Sequence, residues 1–207
     1  MGVGLFGGTF DPVHTAHLRI AEEVREAFSL ERVYFIPTWI QPLKGGATGA
    51  GADDRVRMLE MATRGNRFFR TSRVEIRRKG ISYSIDTVRL FSRRFDELYF
   101  LVGLDAFLDI GLWRGSAELF SMANFVVMVR PGKKMEGLPG HLLGQARAID
   151  DHTWEHASGK RIHLLHITQL DVSSTAIRDL SKKGRSIRYL VPDAVERYIT
   201  KRGLYCE

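Results

Sequence analysis

The chain has 207 residues, of which 44% are hydrophobic and 27% charged, and this length and composition are typical of one globular α/β domain. The net charge of +7 favours anionic partners such as nucleotides, polyphosphates or nucleic acid, without choosing between them. No apolar run approaches the ~18 residues that cross a bilayer, no secretory signal is visible, and the lone Cys206 excludes an intrachain disulfide, so we expect a soluble, cytoplasmic protein with no membrane partner.

Short apolar runs alternate with stretches of helical spacing along the chain. In chain order, strands are predicted at 3–6, 32–36, 74–76, 99–102, 125–129 and 162–167. Helices are predicted at 17–28, from 53, at 84–95, near 142–149, from 173 and at 192–200. This alternation predicts an α/β fold with a Rossmann-like, doubly wound parallel sheet covered on both faces. We expect a single domain over 1–207, with a variable surface segment at 133–160 and a C-terminal helical part at 173–207.

A glycine pair and two histidines follow the first predicted strand. Gly7 and Gly8 lack side chains, so a ligand can approach the backbone closely there. A helix predicted to begin near His14 offers free N–H groups and a positive dipole end, which favour phosphate. His14 and His17 are three residues apart, so on a helix they share a face. Both rings can then donate to one polyphosphate, which is the arrangement that a phosphoryl-transfer site needs.

Two other interpretations of this segment are weaker. A histidine pair at this spacing can bind zinc, but no third ligand lies nearby at a recognisable spacing. The string from Gly2 to Gly7 matches the G-x-G-x-x-G dinucleotide fingerprint, which must follow a strand. Only Met1 precedes the string, so we reject that interpretation.

A second polar cluster opens the helix predicted from Ser173. Ser173, Ser174 and Thr175 supply hydroxyl and exposed N–H groups that suit phosphate. Arg178 lies about one turn further on and can reach back to the same anion with a planar guanidinium. Taken alone, this pattern is better explained by an ordinary capped helix with a surface arginine. Upstream, Asp105 follows a predicted strand end, where a carboxylate can meet a ribose hydroxyl or a metal.

Residues 7–18 and 172–178 together resemble the nucleotidyltransferase superfamily with the H-x-G-H signature, and more specifically the bacterial nicotinate-mononucleotide adenylyltransferases. The resemblance covers nearly the whole chain and is weakest at 133–160. Two positions depart from the family pattern. Ala16 stands where the family usually has Gly between the histidines, and Leu43 stands where members often carry His. Alanine is small enough that we expect activity to survive.

The resemblance implies in-line transfer of the AMP half of ATP to nicotinate mononucleotide, with release of pyrophosphate and with Mg²⁺ accompanying ATP. It implies catalytic roles for His14, His17 and Arg178. It implies ATP binding by Gly7, Gly8, Thr9, Phe10, His17, Gly103, Asp105, Ser173, Ser174, Thr175 and Arg178. It implies acceptor binding by Lys44, Ser84, Asp86, Thr87, Trp113 and Arg130. The metal-ligating residues stay undetermined, and a homo-oligomer stays open.

Alternative functions remain at this stage. Phosphopantetheine is an alternative acceptor within the superfamily, against which Trp113 and the segment at 82–87 favour a pyridine-nucleotide enzyme. Nicotinamide mononucleotide is a nearer alternative, which the sequence distinguishes only weakly from nicotinate mononucleotide. A class I aminoacyl-tRNA synthetase core would carry a lysine-rich second signature and an anticodon-binding domain, and we see neither. A non-catalytic nucleotide- or RNA-binding module suits the charge, but the retention of both histidines and Arg178 favours catalysis. We therefore expect ATP and nicotinate mononucleotide as partners, and no nucleic acid.

Overall fold

The helices and strands largely follow the predicted alternation. A computed structural model describes residues 2–42, 48–130, 132–133, 135, 137–142 and 144–206. The strands are β1 Val3–Gly8, β2 Arg32–Pro37, β3 Phe69–Thr71, β4 Leu98–Gly103, β5 Asn124–Val129, β6 Ala146–Asp150, β7 Thr153–His156 and β8 Arg161–His166. The helices are α1 Thr15–Ala27, α2 Ala52–Thr63, α3 Val74–Arg78, α4 Ser84–Ser92, α5 Leu104–Leu108, α6 Ser116–Met122, α7 Ser174–Lys182 and α8 Asp193–Arg202. Short 3₁₀ turns lie at Ile110–Leu112 and Gly140–Leu142.

The strands form an eight-stranded, mostly parallel sheet in the order β3-β2-β1-β4-β5-β8-β7-β6. β4 pairs in parallel with β1 and β5, so that Leu101 lies beside Phe6 on one side and beside Val126 on the other. β8 pairs in parallel with β5, whereas β7 pairs antiparallel with both β6 and β8. The predicted α/β fold with a parallel central sheet is thus confirmed, and two antiparallel strands extend one edge.

The described residues fall into two compact units, of which the first comprises residues up to 6, 23–33 and 83–168. Its core includes β5, all of whose residues are buried. A near-continuous apolar run of this kind is typical of a strand covered on both faces. Aromatic rings pack along it: the ring centroids of Phe120 and Phe125 are 4.4 Å apart, and those of Phe100 and Phe125 are 5.5 Å apart.

The second unit comprises residues 7–22, 34–82 and 169 onward. Phe35 on β2 packs edge-on against Phe69 at a centroid distance of 5.1 Å and contacts the ring of Phe10 at 5.8 Å. Helix α2 buries Arg55, which is only 1% exposed. Because residues 7–18 and 172–178 both belong to this unit, it contains both of the predicted phosphate motifs.

The prediction of a strand at 74–76 is wrong. These residues begin helix α3, in which the N–H of Arg77 donates to the carbonyl of Arg73 at 2.8 Å. Apolar residues flank Glu75 as they would in a strand, yet Glu75 and its neighbour Ile76 are both buried. A window of three residues is too short to distinguish the period of a strand from that of a helix.

The helix predicted near 142–149 is also wrong. This stretch leads into β6, which pairs with β7 in an antiparallel hairpin. Gly144 precedes β6 with a φ of 82°, a left-handed conformation that does not continue a helix. At the hairpin turn, the carboxylate of Asp150 accepts a hydrogen bond from the N–H of His152 at 2.8 Å. Turn chemistry and strand pairing therefore outweigh the weak helical spacing.

The variable surface segment predicted at 133–160 contains β6 and β7, and the C-terminal part at 173–207 contains α7 and α8. The division into one domain over 1–207 stays a prediction. Sequence patterns missed β3, α5 and α6, whose lengths of 3, 5 and 7 residues show too little of a period. In the described part of the chain, no helix is both long enough and apolar enough to cross a membrane.

Candidate active site

The turn after β1 depends on a glycine that lets an aromatic ring come close. Phe10 has a φ of 50°, a left-handed conformation that is uncommon outside glycine. Its ring lies against Gly8, where an added Cβ would stand 3.1 Å from the ring atom Cζ. At Gly7, by contrast, an added Cβ would meet none of the described atoms within 4 Å. The N–H of Thr38 donates to the Gly8 carbonyl at 3.0 Å and ties this turn to the end of β2.

The predicted histidine pair lies at the start of α1, and its rings face one another. Helix α1 begins at Thr15, whose N–H donates to the carbonyl of Leu190 at 2.9 Å. The ring centroids of His14 and His17 are 3.7 Å apart in a stacked arrangement. The backbone N–H of His14 donates to Nδ1 of His17 at 3.3 Å. Because Nδ1 accepts, a neutral His17 carries its proton on Nε2.

The surroundings of His17 favour the neutral ring. Burial lowers the pKa of His17 well below its ordinary value, and the charge of neighbouring His14 lowers it further. The ring of Phe10 meets the His17 ring edge-on at 5.0 Å and adds an apolar neighbour. With its proton on Nε2, a neutral His17 can donate one hydrogen bond to a phosphate oxygen. Donation by both rings to one polyphosphate stays a prediction.

The second predicted motif is hydrogen-bonded directly to the first. The hydroxyl of Ser174 donates to the carbonyl of Pro12 at 2.8 Å. Nη1 of Arg178 donates to the carbonyl of Asp11 at 2.7 Å, and Nη2 donates to Oγ1 of Thr175 at 3.3 Å. The residues that open α7 are therefore held against the loop that precedes α1, although more than 160 residues separate them in the chain.

A cavity of about 370 Å³ lies where these two motifs meet, within the second unit. Its lining residues are Gly8, Thr9, Phe10, Asp11, His17, Thr38, Trp39, Gln41, Thr48, Ser174, Thr175 and Arg178. Seven of them are among the predicted ATP-binding residues, so the structure brings the two ends of the chain to one polar cavity. Ser173 is not among the lining residues and caps α7, since its hydroxyl oxygen accepts from the N–H of Ala176 at 3.2 Å, and its predicted role in ATP binding stays a prediction.

Sequence reasoning missed five of the lining residues. They are Asp11, Thr38, Trp39, Gln41 and Thr48. Gln41 contributes directly to the first motif, because its Oε1 accepts from the hydroxyl of Thr9 at 3.1 Å. Residues 38–41 come just after β2, at the carboxyl end of that strand. Because ligands in such folds bind beyond the carboxyl ends of the strands, this position could have identified these residues as part of the site.

Two buried charged residues, Asp11 and Arg55, hold the first motif in place. Asp11 is 4% exposed, and its carboxylate accepts three hydrogen bonds of 2.7 to 3.0 Å. Nη1 of Arg55 donates to the carbonyl of Thr9 at 2.7 Å. Burial lowers the pKa of Arg55, while the charge of Asp11 opposes that shift. Nothing in the sequence singles out Arg55, because it lies among other charged residues in an amphipathic helix.

Three of the predicted acceptor-binding residues, Ser84, Asp86 and Thr87, lie at the start of α4 in the first unit. Thr87 is buried, at 1% exposure, whereas Asp86 is half-buried and forms an ion pair with Arg89 one turn later at 3.6 Å. Part of this turn therefore packs into the unit, and part remains accessible to a ligand.

Trp113 also belongs to the first unit and follows the 3₁₀ turn at Ile110–Leu112. Its indole ring meets the ring of Phe100 edge-on at a centroid distance of 6.1 Å. Its Nε1 atom is buried and has no hydrogen-bond partner among the described residues. A buried N–H group without an acceptor lowers the stability of the folded protein, unless a ligand or a water molecule accepts its hydrogen bond.

The remaining predicted residues are not among those that line the cavity. Gly103 ends β4 and Asp105 lies in the first turn of α5, both exposed and both in the first unit, whereas the lining of the cavity comes from the second. Arg130 is exposed just after β5. Lys44 and the departure at Leu43 lie outside the described residues.

The carboxylate of Asp11, which lines the cavity, already accepts hydrogen bonds from the protein. Among the described residues, no group of three or more His, Cys, Asp and Glu side chains is arranged to hold a metal ion. Asp11 lines the cavity, but the phenol of Tyr205 and two backbone N–H groups donate to its oxygens.

Comparison with known proteins identifies relatives over the full chain. A family model described as cytidylyltransferase-like matches residues 5–180. A "Probable nicotinate-nucleotide adenylyltransferase" of Pelobacter propionicus is 44% identical over 214 aligned residues, which cover 100% of this chain and 99% of the relative. A protein of the same name from Geotalea uraniireducens is 46% identical over 212 aligned residues, which cover 99% of this chain and 98% of the relative.

A solved structure shares the fold. The Plasmodium falciparum nicotinic acid mononucleotide adenylyltransferase complexed with NaAD superposes with a TM-score of 0.75, over 99% of this chain and 97% of that chain. At 17% sequence identity, this likeness shows the fold alone.

Proposed function

The chain belongs to the cytidylyltransferase-like family and, within it, to the nicotinate-nucleotide adenylyltransferases, and we infer that it transfers the AMP moiety of ATP to nicotinate mononucleotide. The products are nicotinate adenine dinucleotide and pyrophosphate, and the reaction is a step of NAD biosynthesis. The observation that carries this inference is the polar cavity at which the first motif, residues 7–18, meets the second motif, residues 172–178.

The cavity offers several kinds of donor to a polyphosphate. Arg178 supplies a guanidinium, Thr175 supplies a hydroxyl group, and Ser174 and Thr175 supply backbone N–H groups at the start of α7. His17 supplies the N–H of Nε2, because its Nδ1 is occupied as an acceptor. We assign these groups to the triphosphate of ATP, with the backbone of Gly8 beside the transferred phosphate.

In the reaction, a phosphate oxygen of the acceptor attacks the α-phosphorus of ATP. A new phosphorus–oxygen bond forms while the bond from the α-phosphorus to the bridging oxygen breaks, and pyrophosphate leaves with that electron pair. Positioning and charge stabilisation supply the catalysis, so no covalent enzyme intermediate is needed. Arg178 and His17 donate to the oxygens on which charge accumulates, and His14, stacked on His17, fixes the orientation of that ring.

Mg²⁺ enters with ATP as part of the substrate. It would supply positive charge that offsets the negative charge on the departing pyrophosphate.

We assign acceptor binding to the residues predicted for it. They are Lys44, Ser84, Asp86, Thr87, Trp113 and Arg130. Support for Trp113 comes from its buried Nε1–H, which has no partner in the described chain, and from an indole face suited to a flat pyridine ring. The cytoplasm, where ATP is abundant, is our proposal for the location of the reaction.

Pyrophosphate release from ATP and Mg²⁺ tests this function when three acceptors are compared. We expect turnover with nicotinate mononucleotide to exceed turnover with nicotinamide mononucleotide and with phosphopantetheine. Faster turnover with either rival would reassign the acceptor while keeping the reaction. No release with any acceptor, from folded protein that still binds ATP, would contradict the assignment as an adenylyltransferase.

A further inference from the structure

The carboxylate of Asp11 is the centre of a buried hydrogen-bond cluster next to the cavity. Oδ1 accepts from the hydroxyl of Tyr205 at 2.7 Å and from the N–H of Ala50 at 3.0 Å, and Oδ2 accepts from the N–H of Gly49 at 2.7 Å. Arg178 also contacts Asp11 at two of its oxygens, the backbone carbonyl and Oδ2. Nη1 of Arg178 donates to its backbone carbonyl at 2.7 Å and lies 3.9 Å from its Oδ2. One aspartate thus links the end of the chain, the segment before α2 and the arginine of the cavity.

Tyr205 follows a left-handed turn that ends α8. Gly203 has a φ of 59°, and the N–H of Leu204 donates back to the carbonyl of Ile199 at 3.1 Å, which ends the helix in a left-handed turn. Tyr205 follows with a φ of 65°, a conformation uncommon for a tyrosine, and is only 8% exposed. The backbone of the last residues is therefore shaped so that the phenol is delivered to Asp11.

The phenol remains a donor under all working conditions. Burial raises the pKa of the Tyr205 hydroxyl above its ordinary value, and the neighbouring Asp11 carboxylate raises it further. The ring also packs closely on the chain before α2, since an added Cβ at Gly49 would stand 2.8 Å from both Cδ1 and Cε1 of Tyr205. Only the hydroxyl group, not the ring, is needed for the hydrogen bond to Asp11.

We propose that Tyr205 is a positioning residue for adenylyl transfer, which fixes the Asp11 carboxylate so that Arg178 presents its guanidinium to the triphosphate of ATP. This inference rests on the proposed function. Without the Tyr205 hydroxyl, the Asp11 carboxylate keeps only its hydrogen bonds from the N–H groups of Ala50 and Gly49, and its orientation is less firmly fixed. It can then pair more closely with Arg178, which lies 3.9 Å from Oδ2, and so compete with phosphate for the guanidinium.

The chain contains a matched control for this idea. The hydroxyl of Tyr198, on α8, donates to the carboxylate of Asp54 at 2.7 Å, the same bond type and length as in the Tyr205–Asp11 pair. Neither Tyr198 nor Asp54 lines the cavity. Each Tyr→Phe substitution therefore removes a hydroxyl group from a tyrosine–carboxylate hydrogen bond. Only Tyr205→Phe does so next to Arg178.

The experiment measures kcat and KM for each substrate in the wild type, Tyr205→Phe and Tyr198→Phe, together with thermal stability. We expect Tyr205→Phe to lower kcat/KM for ATP about tenfold, since small misplacements of a positioned group are costly. The KM for nicotinate mononucleotide should stay unchanged, and Tyr198→Phe should remain within about twofold of the wild type. A merely structural role would make the two variants alike in kcat/KM, and that result overturns the proposal.

A double-mutant cycle tests whether Tyr205 acts through Asp11. If it does, adding Tyr205→Phe to an Asp11→Asn protein should lower kcat/KM for ATP no further, because the two changes interrupt the same link. Fully additive losses would overturn the proposal. A wild-type protein that forms no dinucleotide would overturn the proposed function, and this inference with it. Failure of the proposed function can be distinguished from failure of this inference, because the wild-type protein shows the former before any substitution is made.

Discussion

The imidazole rings of His14 and His17 stack with centroids 3.7 Å apart, and the backbone N–H of His14 donates to Nδ1 of His17. This contact occupies Nδ1 of His17 as an acceptor, which fixes the tautomer of the neutral ring. Nε2 is left as the donor of the neutral ring. The helix start therefore orients one imidazole by means of its neighbour, as a preorganised site requires.

Loss of the His17 imidazole should reduce turnover strongly. We expect His17→Ala to lower kcat by about 10²- to 10³-fold, which is typical when one preorganised donor to a transition state is removed. The measurement is pyrophosphate release with both substrates saturating. His166→Ala is the matched control, because His166 is exposed on β8 and belongs to the first unit. Near-normal turnover of His17→Ala would contradict the role given to Nε2.

The low pKa of His17 should appear as a dependence of stability on pH. The folded protein holds this pKa well below 6.5, the ordinary value at which the ring titrates in the unfolded chain. Below 6.5 the unfolded state therefore binds more protons than the folded state, and the free energy of unfolding falls as the pH falls. Urea denaturation between about pH 5 and pH 8 measures this slope.

His17→Asn removes that contribution, so its free energy of unfolding should depend less steeply on pH than that of the wild type. His156 and His163 are retained in both proteins, and because burial lowers their pKa values as well, they leave some acid sensitivity. Equal slopes for the two proteins would show that the pKa of His17 is not depressed by folding.

A side chain at Gly49 should disturb ATP binding specifically. A Cβ there would stand 2.8 Å from Cδ of Arg178 and equally close to the ring of Tyr205, so both must shift. We expect Gly49→Ala to raise the KM for ATP about tenfold. Gly51→Ala is the control, since its Cβ would come no closer than 3.6 Å to any described atom, the nearest belonging to Asp54. Equal KM values for the two variants would contradict the coupling of this segment to Arg178.

The indole N–H of Trp113 should contribute to acceptor binding. Trp113→Phe keeps an aromatic ring but removes the buried Nε1–H, which has no partner among the described residues. We expect the KM for nicotinate mononucleotide to rise about five- to tenfold, the loss expected for one hydrogen bond to a ligand. The KM for ATP should be unaffected. Trp154→Phe, on β7, serves as control, and an unchanged KM in Trp113→Phe would remove this residue from the acceptor site.

The two phosphate motifs could be predicted because each is local. His14 and His17 lie within one helical turn, as do Ser174 and Arg178, so spacing alone places each pair on one side of a helix. The parallel central sheet could be predicted for a similar reason. Strands such as β4 and β5 are continuous apolar runs between polar turns, so they can be recognised from the local sequence alone.

The cluster around Asp11 could not be predicted in the same way. Its bond to Tyr205 joins residues 194 positions apart, and each partner alone has an ordinary local explanation. Arg55 is similar, because a buried arginine within a charged, amphipathic helix has no signature in the sequence. The hairpin of β6 and β7 was missed because its residues are half-buried or exposed and lack strong alternation.

The most direct test of the central claim follows the phosphates of ATP. Wild-type protein is incubated with nicotinate mononucleotide, Mg²⁺ and ATP that carries distinguishable labels on its α- and γ-phosphates, and the products are separated. We predict that the α label appears in nicotinate adenine dinucleotide and the γ label in pyrophosphate, both at the same rate and only when the acceptor is present. An α label that remains in ADP or AMP, whether or not the acceptor is added, would contradict adenylyl transfer by this cavity.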